Sequence, residues 1–235
     1  MVTGDRKETA VAVAEELNLI SSSSSQVLTS SQLKTMSDEE LKQAIPSIAV
    51  ISRALPTDKS RLVRVCQEMN QVVGMTGDGV NDSAALKKAD VGFAMGSGSE
   101  VAKEASSIVI LDDNFTSITQ AVLYGRTIFK SIRKFIVFQS TVNCASMLIV
   151  FAGPFLGFDF PLTLIQLLWV NLVMDTLAAL AFGGEPALKT YMHEAPIRRD
   201  DKIITSNMWS SILTNGVFIA TVCTLVLRSP TVRNT

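Results

Sequence analysis

The sequence predicts an α/β domain built on a parallel sheet, followed by three transmembrane α-helices. Three observations carry this. Up to about residue 130, short β-branched apolar runs alternate with amphipathic stretches. Beyond Lys134 there are three long apolar runs. Charge and apolar character are segregated along the chain, most of the charge lying before Lys134. The 235 residues are 47% hydrophobic and 18% charged, with mean hydropathy +0.31, more apolar than an ordinary soluble domain. The net charge of −1 gives no basic footprint for nucleic acid, so no nucleic-acid partner is expected.

The candidate strands are Ile48–Ile51, Val72–Thr76, Val91–Met95 and Ile108–Leu111. Helical patterns lie between and before them at Lys7–Leu17, Asp38–Ile45, Thr57–Met69, Asp82–Ala89 and Glu100–Ala105. Strands that alternate with helices imply a parallel sheet covered on both faces. Ser21–Ser25 is low in complexity and reads as a solvated loop. Cys66, Cys144 and Cys223 fit no metal-ligand spacing and no disulfide framework. No secretory signal opens the sequence.

The expected organisation is a partial α/β domain over 1–116, a stalk helix over 117–134 and spans at 135–158, 160–182 and 207–227. A loop over 183–206 and a tail over 228–235 complete it. About 20 mostly apolar residues cross the roughly 30 Å hydrocarbon layer, and each span is long enough. From Ser117 through Arg126, Lys130, Arg133 and Lys134 only Gly125 breaks the helical pattern, which predicts one rod running into Phe135. The plainer alternative is a juxtamembrane basic patch facing anionic lipid. The loop after the second span carries Lys189, Arg198, Arg199 and Lys202, whereas the hairpin around Asp159 has neither Lys nor Arg. The positive-inside rule then puts the basic loop and the soluble part in the cytosol and Asp159 outside. This describes a multi-pass integral membrane protein with the bilayer as its first partner.

The strongest chemical signal is Thr76-Gly77-Asp78-Gly79-Val80-Asn81-Asp82, directly after a strand. Ligands of open parallel sheets bind at the carboxyl ends of strands. Asp78 and Asp82 are hard oxygen donors suited to Mg²⁺ shared with a substrate phosphate, against the bland reading of an ordinary Gly/Asn/Asp turn. Thr3-Gly4-Asp5 offers a hydroxyl and backbone N–H groups. Arg53 and Lys59 bracket Pro56 at a helix start, where N–H groups already attract anions. Lys59 would be a compact counter-charge to phosphate. Within the second span, Asp175 costs about 2.5–3.5 kcal/mol at the membrane centre, and such residues mark ion paths. Asn171 lies four residues before it, on the same helix face. An amide and a carboxylate are hard ligands fit for Ca²⁺.

Thr-Gly-Asp, then Arg…Pro…Lys, then Thr-Gly-Asp-Gly-Val-Asn-Asp resembles the phosphorylation domain of P-type ATPases, similar to haloacid-dehalogenase-like phosphatases. Leu167 to Thr176 resembles the sixth membrane helix of plasma-membrane-type calcium pumps, which carry one ion per cycle. The resemblance implies a haloacid-dehalogenase-like partial domain followed by membrane helices five to seven, with ATP and Mg²⁺ as cofactors and Ca²⁺ as the transported ion. It implies Asp78 as the Mg²⁺ ligand, Asp82 as the second carboxylate of that site and Lys59 as a catalytic cation. Thr3, Gly4, Asp5, Arg53, Lys59 and Asn81 match nucleotide or phosphoryl contacts. Asn171 and Asp175 match cation ligands of the sixth helix, and Asn143 matches an amide of the fifth. Two-ion pumps carry a glutamate where Ser146 stands and a threonine where Met174 stands, so one Ca²⁺ is expected.

The phosphorylated motif Asp-Lys-Thr-Gly-Thr does not occur, and Asp58-Lys59-Ser60 imitates only its start. The expectation is therefore a piece of an ATP-driven Ca²⁺ pump, inactive without a preceding half that supplies the nucleophile. The alternatives are a phosphatase-like or non-catalytic membrane-bound fragment, or a P-type pump for another cation.

Overall fold

The computed structural model describes residues 1–20, 25–157 and 162–229. Ser21–Ser24 of the serine loop, Asp159 at the expected hairpin tip and the tail from residue 230 lie outside the described residues. The chain divides into two compact units, Met1–Thr119 with Pro196–Asp201, and Gln120–Ala195 with Lys202–Thr235.

The first unit runs α1 (Lys7–Glu16), β1 (Gln26–Thr29), α2 (Ser30–Thr35), α3 (Asp38–Ala44), β2 (Ile48–Ser52) and α4 (Pro56–Glu68). It continues with β3 (Gly74–Gly77), α5 (Ser83–Lys88), β4 (Val91–Met95), α6 (Glu100–Ala105) and β5 (Ile108–Ile110). All pairings are parallel, as expected. The single expected sheet is instead divided into β1-β2 and β3-β4-β5. Val2 bridges Ile51 and so extends the first sheet. Among the described residues no strand hydrogen-bonds to both that sheet and β3.

Local chemistry fixes the helix starts. Ser37 and Glu40 form a capping box over the acidic first turn of α3, satisfying two N–H groups that have no intrahelical acceptor. Pro56 opens α4, where a missing N–H costs nothing. Helix–sheet cores follow around Leu33, Leu41, Ile51, Ala54 and Val65, around Ala10, Ala14 and Val50, and around Leu86, Ala94 and Ala102. β1 and α2 were not anticipated. The two are contiguous, and Thr29 ends the strand while capping the helix through the Gln32 N–H and side chain, so neither presents a separate periodic run.

Long helices dominate the second unit. α7 spans Phe115–Ala152, 38 residues without interruption, and includes the expected stalk. It begins where the Asn114 side chain accepts from the Thr116 N–H. It stops at Ala152, short of the expected 158: Gly153 N–H still reaches Ile149 O at 2.9 Å, but Pro154 has no N–H to continue the ladder, and a short 3₁₀ turn over Pro154–Leu156 follows, ending at Gly157 with φ 82°. α8 is Leu164–Gly183, capped by Thr163 and Gln166, and starts later than the expected 160. α9 is Ser206–Arg228. All three are long and apolar enough to cross a membrane.

Lys134 meets Glu185 at 2.5 Å, Phe138 meets Phe182, and Gln139 meets Asp175. Rising numbers on α7 against falling numbers beyond and along α8 make the two helices antiparallel. α7 and α9 pack through Ala145, Ile149 and Ala220. A Cβ on Gly216 would approach Cys144 Sγ to 3.0 Å, so small residues set the helix separation.

The basic stalk residues are not a bare lipid-facing patch. Arg126 donates to the carbonyls of Tyr191 (2.6 Å) and Glu194 (3.0 Å). Lys130 pairs with Glu194 and sits 3.9 Å over the Tyr191 ring. The Glu185 carboxylate beside Lys134 raises the lysine's pKa above its ordinary value. The acidic residues of the 183–206 loop thus tie it to α7.

Candidate functional site

Met1–Thr3 lies along β2. Ile51 N–H donates to Met1 O (2.8 Å) and Thr3 N–H to Ile51 O (2.9 Å). At the end of that pairing Arg53 N–H donates to Asp5 O and Ala54 N–H to Thr3 O, both 2.9 Å. Two segments about fifty residues apart in sequence therefore form one turn. Thr3 Oγ1 donates to Asp5 Oδ2 at 2.7 Å. Arg53 has φ 52°, a conformation that costs a non-glycine residue of order 1–3 kcal/mol and clusters at functional sites. Its side chain is exposed and has no acidic partner among the described residues. Thr3, Gly4, Asp5 and Arg53 are thus brought together.

The second cluster forms around the Gly77–Asp82 loop. Asp82 is 7% exposed, and its Oδ1 receives Lys59 Nζ at 2.5 Å. Lys59 stands in the first turn of α4, where the sequence predicts it, but it is held by a carboxylate. Gly77 is required: a Cβ there would fall 2.5 Å from the Asp82 Cβ. Asp78 and Asn81 are exposed, and the Asp78 carboxylate has no protein partner among the described residues. Sequence reasoning missed the support beneath Asp78. Its carbonyl accepts from Ser99 N–H at 2.8 Å, and a Cβ on Gly98 would lie 2.9 Å from that carbonyl oxygen. Ser97 N–H donates to Asp113 Oδ1, and that bond holds the Asp113 carboxyl below its ordinary range. Gly96-Ser97-Gly98 after a strand was the available signal.

Asp58, which imitates a phosphorylated aspartate in sequence, does something else. It is 4% exposed, and its Oδ2 accepts from Ser30 Oγ (2.6 Å) and Leu55 N–H (2.9 Å). A carboxylate used up as a helix cap is no nucleophile.

No group of three His, Cys, Asp or Glu side chains able to hold a metal occurs among the described residues. Asp78, free and exposed beside the partly engaged Asp82, suits a hard cation that takes its remaining ligands from phosphate and water. It does not form an all-protein cage.

In the second unit, Asp175 Oδ2 accepts from Gln139 Nε2 at 3.1 Å. Asp175 Oδ1 and Gln139 Oε1 are both buried with no hydrogen-bond partner. No cationic side chain pairs with Asp175 among the described residues. Asn171 and Asn143 are exposed and make no side-chain hydrogen bond there, so the carboxyl meets neither directly. Gln139 was missed, although an amide in an apolar run one turn before Asn143 was a legible signal.

Residues 159–230 match the family described as cation transporting ATPase, C-terminus, and residues 59–122 match haloacid dehalogenase-like hydrolase. The sequence is 44% identical over 220 residues to the probable calcium-transporting ATPase 6, plasma membrane-type, of Oryza sativa subsp. japonica. The match covers 93% of this chain and 21% of that protein. It is 44% identical over 223 residues to calcium-transporting ATPase 9, plasma membrane-type, of Arabidopsis thaliana, with 93% and 20% covered. This chain therefore spans about a fifth of the length of the curated relatives it matches.

Proposed function

Because the chain is a homologue of the plasma-membrane-type calcium-transporting ATPases, we propose that it forms the phosphate-handling and ion-binding part of an ATP-driven Ca²⁺ transporter. The observation that carries this reading is the state of Asp175. A carboxyl in a 20-residue apolar helix is paired with an amide alone and keeps a buried oxygen without a partner. That arrangement is costly unless a cation completes it.

In the soluble unit, Asp78 would ligate Mg²⁺ with help from Asp82, and the ion would neutralise charge on the transferred phosphoryl group of ATP. Lys59 holds the Asp82 carboxylate beside Gly77, which keeps the loop in register. Arg53, Asn81 and the Thr3-Gly4-Asp5 turn supply donors for nucleotide or phosphoryl oxygens. The aspartate that accepts phosphate is not among the 235 residues. An aspartyl-phosphate cycle therefore requires a preceding polypeptide, joined or separate.

The test uses a pump assembled from this chain and the preceding part of the Oryza relative. Asp175→Asn should abolish Ca²⁺-dependent phosphorylation by ATP and spare phosphorylation from inorganic phosphate, which needs no bound Ca²⁺. Asp78→Asn should impair both phosphorylation routes while equilibrium ⁴⁵Ca²⁺ binding persists. Ca²⁺ affinity within about twofold of wild type in Asp175→Asn would remove the ion-site assignment.

A further inference from the structure

We propose that Gln139 is a cation-site residue, pairing with Asp175 through its Nε2 and offering its Oε1 to the transported ion. The inference rests on the transport reading above and extends it to a residue that the sequence motifs do not mark.

Three observations carry it. The first is the pair itself, Gln139 Nε2 to Asp175 Oδ2 at 3.1 Å. Against a carboxyl acceptor the amide must turn its N–H₂ inward, which leaves Oε1 for something else. The second is that this Oε1 and the opposite carboxyl oxygen are the two buried side-chain polar atoms without a partner among the described residues. Each such atom costs about 1–3 kcal/mol, and more than nine in ten buried polar groups avoid that cost. Both orphans are oxygen acceptors, and they sit on two side chains already in contact. A single cation answers both.

The third is helix register. α7 and α8 are antiparallel, with Gln139 opposite Asp175. Asn143 lies four residues after Gln139, and Asn171 four before Asp175. Each step is about 6 Å along its helix, and in an antiparallel pair both steps run the same way. Successive turns thus carry Gln139 with Asp175, then Asn143 with Asn171. The second pair is exposed and open to further ligands.

The chemistry is consistent. Gln139 adds an oxygen without adding charge, so the set keeps one carboxylate, and ligand charge count tunes affinity for Ca²⁺. It stands one turn before Asn143, whereas Ser146, one turn after, offers only a hydroxyl. Nε2 meanwhile fixes the carboxyl rotamer, as groups behind metal ligands do.

The assembled pump described above tests this by equilibrium ⁴⁵Ca²⁺ binding, with phosphorylation from inorganic phosphate as the measure of an intact protein. Gln139→Leu should weaken Ca²⁺ binding about tenfold and leave phosphorylation from phosphate at the wild-type level. Gln139→Glu, of equal size, exchanges the Nε2 donor for a second carboxylate beside Asp175 and should change Ca²⁺ affinity at least about tenfold from wild type. If Gln139→Leu binds within twofold of wild type while Asp175→Asn does not bind, Gln139 only packs helices; the inference falls and the transport reading stands. If Asp175→Asn also binds normally, the transport reading falls as well. Should Gln139→Leu fail to fold, Gln139→Glu decides, and affinity within twofold of wild type overturns the inference.

Discussion

Asp82 in the soluble unit and Asp175 in the membrane-type helix pair are both shielded carboxyls, and they are stabilised in opposite ways. Asp82 receives an ammonium, Lys59, at 2.5 Å, and its side chain packs so closely on Gly77 that no Cβ would fit there. Asp175 receives one neutral amide and keeps an oxygen without a partner. The first site is complete within the chain, and its exposed neighbours Asp78 and Asn81 are open to a ligand. The second is incomplete within the chain, in a setting where incompleteness is expensive. A protein that handles phosphate needs a rigid frame behind solvent-facing groups. One that carries a cation needs a vacancy of charge that only the cation fills.

The largest effect expected from this contrast is on Lys59. Lys59→Ala strands a buried carboxylate, and breaking a buried pair from one side costs about 3–5 kcal/mol. Thermal unfolding of the first unit should therefore shift strongly, whereas Lys59→Met with Asp82→Leu should recover most of the loss. A loss below about 1 kcal/mol in the single variant would mean that the pair is solvated, and the contrast would collapse.

A smaller effect of opposite sign is expected at Asp175. Asp175→Asn lets two amides pair, so Gln139 Oε1 gains a donor and the carboxyl oxygen without a partner disappears. The chain in detergent should unfold about 1 kcal/mol later than wild type, although the same change removes ion binding. Destabilisation would show that Asp175 already has a partner.

Much of this contrast was legible in the sequence. β4 and α6 fall at the expected residues, because a short apolar run between polar turns and a Ser-capped helix are locally decisive. The Asp78 loop was legible because glycine and aspartate in that density follow a strand. Residues 196–201 of the basic loop group with the first unit. Arg199 there meets Asp90 at 3.3 Å. What stayed hidden depends on tertiary pairing. Nothing local says that Lys59 would turn to Asp82, that Asp58 would be spent on Ser30 and Leu55, or that Gln139 would face Asp175. The division into two sheets was also hidden, since periodicity finds strands and not their neighbours.

The smallest effect concerns charge compensation in the open, at Asp38. Its carboxylate binds Arg64 (2.6 Å) and Arg61 (2.8 Å), linking α3 to α4. Hydrogen bonds from Arg64 and then Arg61 hold its pKa below the ordinary 3.8. A carboxyl depressed on folding contributes stability above its unfolded value and loses it as pH falls through the folded one. Asp38→Asn should therefore lower the unfolding midpoint of the first unit at pH 5–7, and the difference from wild type should shrink steadily below about pH 4. The shift should be far smaller than that of Lys59→Ala, because an exposed pair is screened by water and salt, and 1 M salt should reduce it further. Thermal melts of both proteins from pH 2.5 to 7 measure it. A difference that persisted undiminished at pH 2.5 would mean that Asp38 acts by capping or packing, leaving buried compensation at Asp82 as the one charge pair with a measured effect on the fold.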